Sequence, residues 1–150
     1  MLKGVFRRTL RSSTCIGSNE YAMTKTCPCT PSRPYVDCCA PFHQGKVIAP
    51  TAELLMRARY SAYALDLPKF IYKTWCSRTR PGFRDLRDGP LQDWLGLKVL
   101  RVAQGQVEDQ TGVVEFIASY ATRGSFEQMH EVSEFCREQG RWVYLGAAVS

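Results

Sequence analysis

The sequence predicts an α+β protein in which helices pack on one face of a curved antiparallel sheet, preceded by a small cysteine-rich knuckle. Three observations carry this. Four cysteines crowd into residues 27–39, segments of helical period follow to about residue 75, and period-two segments with short turns run from Trp94 onward. Helices first and strands afterwards favour segregated layers over the alternating pattern of a parallel sheet.

The chain has 150 residues, enough for one ordinary domain with a small appendage. Hydrophobic residues at 45% and charged residues at 23% exclude a disordered chain. No stretch approaches the roughly 18 to 20 consecutive apolar residues of a membrane span. The net charge is +6, but it is unevenly placed. Residues 1–26 hold five of the 20 basic side chains and one of the 14 acidic ones, which leaves 15 against 13 in the rest. The body is nearly balanced, so its charge does not point to a phosphate backbone.

Residues 1–24 form the basic leader. Leu2, Phe6 and Leu10 recur every four residues, as do Lys3, Arg7 and Arg11, and no acid precedes Glu20. This is the character of an amphipathic organelle transit peptide, mitochondrial or plastid. The alternative is a disordered basic tail, or a start placed upstream of the true one at Met23, in a cytoplasmic protein.

The cysteine run C-P-C-T-P-S-R-P-Y-V-D-C-C places Cys27, Cys29, Cys38 and Cys39 on one short, proline-stiffened loop. Seven cysteines without a secretory signal argue against a disulfide framework. Four thiolates can close a tetrahedron around one Zn²⁺, and a turn-rich loop of this length can bring them together. Unmetallated cysteines are the alternative. His43 stands four residues beyond Cys39 and is the reserve for it as fourth ligand. Cys76 and Cys136 read as small buried hydrophobes. Residues 25–45 are therefore assigned to the knuckle and 46–150 to the α+β domain.

Thr51 offers an N-cap for a helix to about Leu65, with Leu55, Met56, Ala62 and Tyr63 on its buried stripe. Glu53, Arg57 and Ser61 form an opposite line. Asp66 and Pro68 separate a second helix, Lys69 to Trp75. Ser77 to Asp93 reads as irregular. Four strands follow: Leu95, Leu97 and Val99 alternate on the first, Val114, Phe116, Ala118 and Tyr120 on the second. Phe126 to Arg137 is the third, and Trp142 and Tyr144 share a face of the last. No phosphate loop, dinucleotide fingerprint or catalytic elbow occurs.

The runs CPCTPSRPYVDCCAPFHQG, APTAELLMRARYSAYAL, WLGL, VEFIASY and HEVSEFCREQGRWVYLG together resemble the YchJ family. The resemblance spans about Cys27 to Gly146. It implies an N-terminal SEC-C zinc motif at the four cysteines. It also implies a cone-shaped domain like nuclear transport factor 2, a cystatin-like curl of sheet around helix. Thr30-Pro31-Ser32 stands where the family has Gly-Ser-Gly, so the loop must turn without glycine. Val132 stands where an arginine is usual.

Two functions compete. One is a zinc-containing binding module whose knuckle meets a protein partner, as the related motif of the SecA translocation motor does. A filled Cys₄ shell leaves no place for a reactive water. The other is an enzyme or small-ligand binder using the cone's pocket, with Arg57, Arg59 and Tyr60 on the first helix and His130 or Glu131 on the third strand. Those two cannot both line it, since strand neighbours face opposite ways. Nucleic-acid binding is disfavoured, because Arg78, Arg80, Arg84 and Arg87 are offset by Asp85, Asp88 and Asp93. A chain starting at Met23 is expected to keep the melting temperature of the full chain. A drop of several degrees in a thermal melt would show that the leader packs.

Overall fold

The computed structural model describes residues 25–148. The leader, with its targeting reading, lies outside the described residues. The knuckle comes first. Strands β1 (Thr26–Cys27) and β2 (Thr30–Pro34) pair antiparallel around Pro28-Cys29, then a 3₁₀ turn (Tyr35–Asp37) leads to the one-turn helix α1 (Ala40–His43). Thr30-Pro31-Ser32 solves the missing-glycine problem by running extended within β2. No residue from 25 to 44 has a positive φ, and the Thr30 hydroxyl takes the Ser32 N–H at 3.3 Å.

Helix α2 (Ala52–Ala64) starts as the sequence requires, with Thr51 Oγ1 accepting the Leu54 N–H at 3.2 Å. It ends in a Schellman turn: Asp66 adopts φ 55 and the Leu67 N–H reaches the Ala62 carbonyl at 2.8 Å. Pro68 opens α3 (Pro68–Lys73) at a position where a missing N–H costs nothing. This helix stops before Trp75, short of the expected end. Trp75 instead pairs with Tyr144 in parallel, through Cys76 N–H to the Tyr144 carbonyl and Tyr144 N–H to the Thr74 carbonyl, both 2.8 Å. The stretch expected to be irregular contains a short α4 (Phe83–Arg87), whose Phe83 ring meets Tyr72 edge-on at 5.7 Å.

Four strands form one antiparallel sheet in chain order: β3 (Asp93–Gln104), β4 (Thr111–Thr122), β5 (Ser125–Glu138) and β6 (Arg141–Ala147). The β4–β5 and β5–β6 turns put Arg123-Gly124 and Gln139-Gly140 at positive φ, the I′ geometry that matches strand twist. The expected alternation of Leu95, Leu97 and Val99 fails at Leu95. Register shifts between Trp94 and Gly96 and between Val99 and Arg101 insert one extra residue each. Leu95 and Leu100 are pushed to the surface, while Trp94, Leu97, Val99 and Val102 face the core. Such bulges bend a long strand, and the bend wraps the sheet around α2.

Helix α2 is buried on nearly every side, which its sequence only half announces. Ala52, Ala58, Ser61 and Ala62 have no exposure at all, and Arg59 has 5%. Tyr63, expected on the buried stripe, is 40% exposed. One contiguous core joins Leu55, Met56 and Tyr60 of α2 to Val114, Phe116 and Phe135 of the sheet and to Cys27, Cys29 and Cys39 of the knuckle. The knuckle therefore has no core of its own. Among the described residues no helix is long and apolar enough to cross a membrane.

The start of α2 abuts the β3–β4 turn, where the Ala52 N–H donates to the Gly105 carbonyl at 2.9 Å. A methyl on Gly112 would stand 2.6 Å from the Gly105 Cα, which is backbone and cannot step aside. Gly112→Ala is expected to cost about 1 to 3 kcal/mol, the usual range for overpacking, read from urea melts. An unchanged midpoint would show that the contact yields.

Candidate functional site

Two regions gather functional chemistry, one on each side of α2. The first is the knuckle. Cys27 ends β1, Cys29 sits in the following turn, Cys38 closes the 3₁₀ turn, and Cys39 caps α1. Their four sulfurs lie within 4.8 Å of one another, and three of the four residues are buried. Cys29 and Cys38 Sγ are 3.5 Å apart, Cys29 and Cys39 3.7 Å, Cys38 and Cys39 4.0 Å. Such a cluster can hold a metal ion, and four thiolates are a soft, tetrahedral donor set.

The electrostatics agree with that chemistry. Hydrogen bonds from the Cys29 and Cys39 side chains hold the Cys27 thiol well below its ordinary range. Its neighbour Cys29 is pushed up to about 12, chiefly by its bond to Cys27. Burial raises Cys38, and hydrogen bonding to Cys27 raises Cys39. Like charges this close oppose one another, so without a cation the four sulfurs cannot all be thiolates. A bound dication removes this conflict, because a coordinating thiol is deprotonated outright.

Helix α2 closes the cluster from behind. Ser61 Oγ lies 3.3 Å from Cys39 Sγ and 3.4 Å from Cys27 Sγ. Arg57 pairs with Glu53 at 3.1 Å and extends Nη1 toward the Cys29 carbonyl at 3.4 Å. The line Glu53, Arg57 and Ser61, read as a polar outer face, is thus the seat of the knuckle. Ser61 was missed as a supporting residue. The signal for it was the small trio Ala58, Ser61 and Ala62, which lets another segment approach the helix closely.

His43, the reserve ligand, is engaged elsewhere. Its Nε2 lies 2.7 Å from the Ala58 carbonyl and its Nδ1 2.7 Å from the Tyr35 hydroxyl. A carbonyl can only accept, so Nε2 carries the proton and Nδ1 accepts from Tyr35, leaving no lone pair for a metal. Burial lowers its pKa and keeps the ring neutral. The residue works as a clip between knuckle and helix.

The second region is the inside of the cone. A cavity of about 310 Å³ lies between α2 and the sheet. Met56, Arg59, Tyr60 and Tyr63 line it from the helix side, and Trp75, Trp94, Glu131 and Tyr144 are among those that line it opposite. Arg59 donates from Nη1 to the Ile71 carbonyl at 2.9 Å and to the Thr74 hydroxyl at 2.8 Å. Burial pulls its pKa down to about 10, still cationic at neutral pH. Glu131 Oε1 accepts from the Ser133 and Tyr144 hydroxyls at 2.7 and 2.8 Å.

The other candidates stand apart. Arg57 faces the knuckle rather than the cone. His130 lies exposed on the outer face of the sheet, with Nε2 2.9 Å from Glu115 Oε1. Arg101 shares the same carboxylate at 3.3 Å. Strand alternation sends Glu131 inward and His130 outward.

A four-cysteine knuckle seated on the helix of a bent-sheet cone is the architecture of a SEC-C motif protein with a nuclear transport factor 2-like domain. The chain belongs to the YchJ family: the profile described as "YchJ, middle NTF2-like domain" matches residues 51–147. It is similar to a UPF0225 protein of Streptomyces coelicolor, 46% identical over 121 residues, covering 81% of this chain and 93% of that one. A UPF0225 protein of Chromobacterium violaceum is 48% identical over 103 residues, covering 68% and 76%. The solution structure of a SEC-C motif containing protein from Rhodopseudomonas palustris matches with a TM-score of 0.73 at 32% identity, covering 83% of this chain and 98% of that one. The crystal structure of a SEC-C motif containing protein from Psychrobacter arcticus gives 0.71 at 30%, covering 87% and 86%. These named relatives are bacterial, and they lend an organelle address for the leader no support.

Ser61→Ala is expected to weaken metal binding by roughly tenfold, the low end for an outer-shell partner. Competition with a chromogenic chelator under reducing conditions measures it. Ser119→Ala, on a partly buried residue whose hydroxyl meets Gln128 at 3.3 Å, serves as the control and should change nothing. Equal affinities for the two variants would reduce Ser61 to packing.

Proposed function

We propose that this protein is a zinc-containing binding module of the bacterial cytoplasm. Its Cys₄ centre is structural, and its knuckle face receives a protein partner. The observation that carries the reading is the sulfur spacing. Four thiolates about 2.3 Å from one Zn²⁺ stand about 3.8 Å apart; here the Cys29–Cys38, Cys29–Cys39 and Cys38–Cys39 sulfurs stand 3.5, 3.7 and 4.0 Å apart, and all four lie within 4.8 Å. Cys27, Cys29, Cys38 and Cys39 would hold the ion, and Ser61 would spread thiolate charge. A filled tetrahedron supplies shape rather than a reactive water. Unpaired thiolates of this kind persist in a reducing compartment.

A groove of about 460 Å³ beside the sulfurs supports the partner reading. Arg33, Asp37 and Arg57 bring charge to it, and Pro41, Phe42 and Val47 line it with apolar surface. Val36, Val47 and Ile48 are exposed in the same part of the chain. A second reading, a small ligand in the cone, is favoured by the buried Arg59 in an aromatic cavity.

Metal analysis of protein purified reduced and without chelator is expected to return one zinc per chain, and each Cys→Ser change at the four positions to release it. Because the cysteines share the core of α2, chelation should lower the melting temperature of the whole domain, not of the knuckle alone. Far less than one zinc per chain would sink the metal reading. A photo-crosslinking residue at Val47 should capture a discrete protein in cells, lost when Cys38→Ser is added. The absence of any adduct would remove the partner and leave the zinc.

A further inference from the structure

The cavity of the cone carries more information than its existence. At about 310 Å³ it stands at the small end of ligand pockets, which run from roughly 300 to 1,000 Å³. Its wall is largely aromatic, and only Arg59 and Glu131 bring charge to it. Arg59 is 5% exposed. Its guanidinium lies over the Trp75 ring at 5.0 Å and the Tyr144 ring at 4.6 Å, while Nη1 is bonded to Ile71 and Thr74. Nε and Nη2 have no protein partner among the described residues.

Glu131 is arranged in a complementary way. Both hydroxyls that reach it come to Oε1, so Oε2 keeps its acceptor capacity. The two charges line one cavity, yet no ion pair within 4.0 Å joins them among the described residues. Burying a guanidinium without closing it on its counter-charge is costly. Trp75, which also lines the cavity, has a buried indole N–H with no partner among the described residues. A simple core would place leucines here. Charges of opposite sign held apart at one aromatic pocket suit a ligand that presents an acceptor to one and a donor to the other.

Resting on the small-ligand reading of the cone, we propose that this cavity binds a small, uncharged, planar aromatic molecule bearing an amide-type edge. The amide oxygen accepts from Arg59 and the amide N–H donates to Glu131 Oε2. The ring lies among Tyr60, Trp94 and Tyr144, where edge-on and offset contacts are favourable. Neutrality follows from the pocket's own balance. An anionic ligand would meet Glu131, a cationic one would meet Arg59, and either leaves a buried charge unpaired.

Three molecules of one shape test this: benzamide, benzoate and benzamidine, titrated into the full chain. The indole resonances of Trp75 and Trp94 report the cavity. That of Trp142, which is buried outside it and bonded to the Pro50 carbonyl at 3.1 Å, is the internal control. Benzamide is expected to shift the first two and not the third, and to bind about tenfold or more tighter than either charged analogue. Glu131→Gln keeps an acceptor for Ser133 and Tyr144 but leaves Arg59 unbalanced and turns a donor toward the ligand's N–H, so benzoate should gain about tenfold while benzamide weakens, and benzoate becomes the tighter of the two. The comparison of the three on the unaltered protein stands even if that variant fails to fold. Benzoate or benzamidine binding as tightly as benzamide would overturn the amide class and leave the cone as a binding site. Silence of all three at about 10 mM, above the affinity range of fragments this size, would overturn the cavity as a ligand site altogether.

Discussion

Helix α2 has to satisfy two unlike neighbours at once, and the rest of the molecule depends on how it does so. One side receives the cysteine knuckle, the other roofs the cavity of the cone. A helix of 13 residues can serve both only if its surface is divided finely. Ala58, Ser61 and Ala62 are small enough for the knuckle sulfurs to come close. Arg59, Tyr60 and Met56 are long enough to reach into the cone. Its first residue, Ala52, is pinned against Gly105 and Gly112, which flank the β3–β4 turn.

This arrangement makes the cysteine cluster a part of the fold. Cysteines on a detached loop would order only themselves when they bind a metal. Here Cys27, Cys29 and Cys39 lie in the same core as Leu55 and Met56. His43 fastens the end of the knuckle to the Ala58 carbonyl, and Arg57 reaches back to the turn at Cys29. Ordering the sulfurs and ordering the helix are one event in such a packing, so a metal held there would act on the whole fold.

The cone owes its hollow to departures from regularity. A flat four-stranded sheet would lie against α2 and leave no space. Bulges at Leu95 and Leu100 and a further register shift between Glu134 and Phe135 bend the strands. The parallel bridge between Trp75 and Tyr144 draws the segment after α3 onto the edge of β6. The side chains that meet in the resulting space, Arg59, Trp75, Glu131 and Tyr144, come from four separate stretches of chain.

What the sequence determined by itself was therefore local. The four cysteines at their spacing, the Thr51 cap, the turns at Arg123-Gly124 and Gln139-Gly140, and the inward set Val114, Phe116 and Ala118 all follow from chemistry within a few residues. The tertiary structure decided everything that depends on which faces meet. It turned the polar line of Arg57 and Ser61 toward the knuckle, because a short proline-rich loop needed a seat of small residues. It buried Arg59, since α2 is covered on both sides and leaves its long side chains only the cone. It sent His130 to solvent and Glu131 inward, a choice that alternation poses and only the register of β4 against β5 can make. It also gave both nitrogens of His43 to hydrogen bonds across the fold, where spacing alone had offered them to a metal.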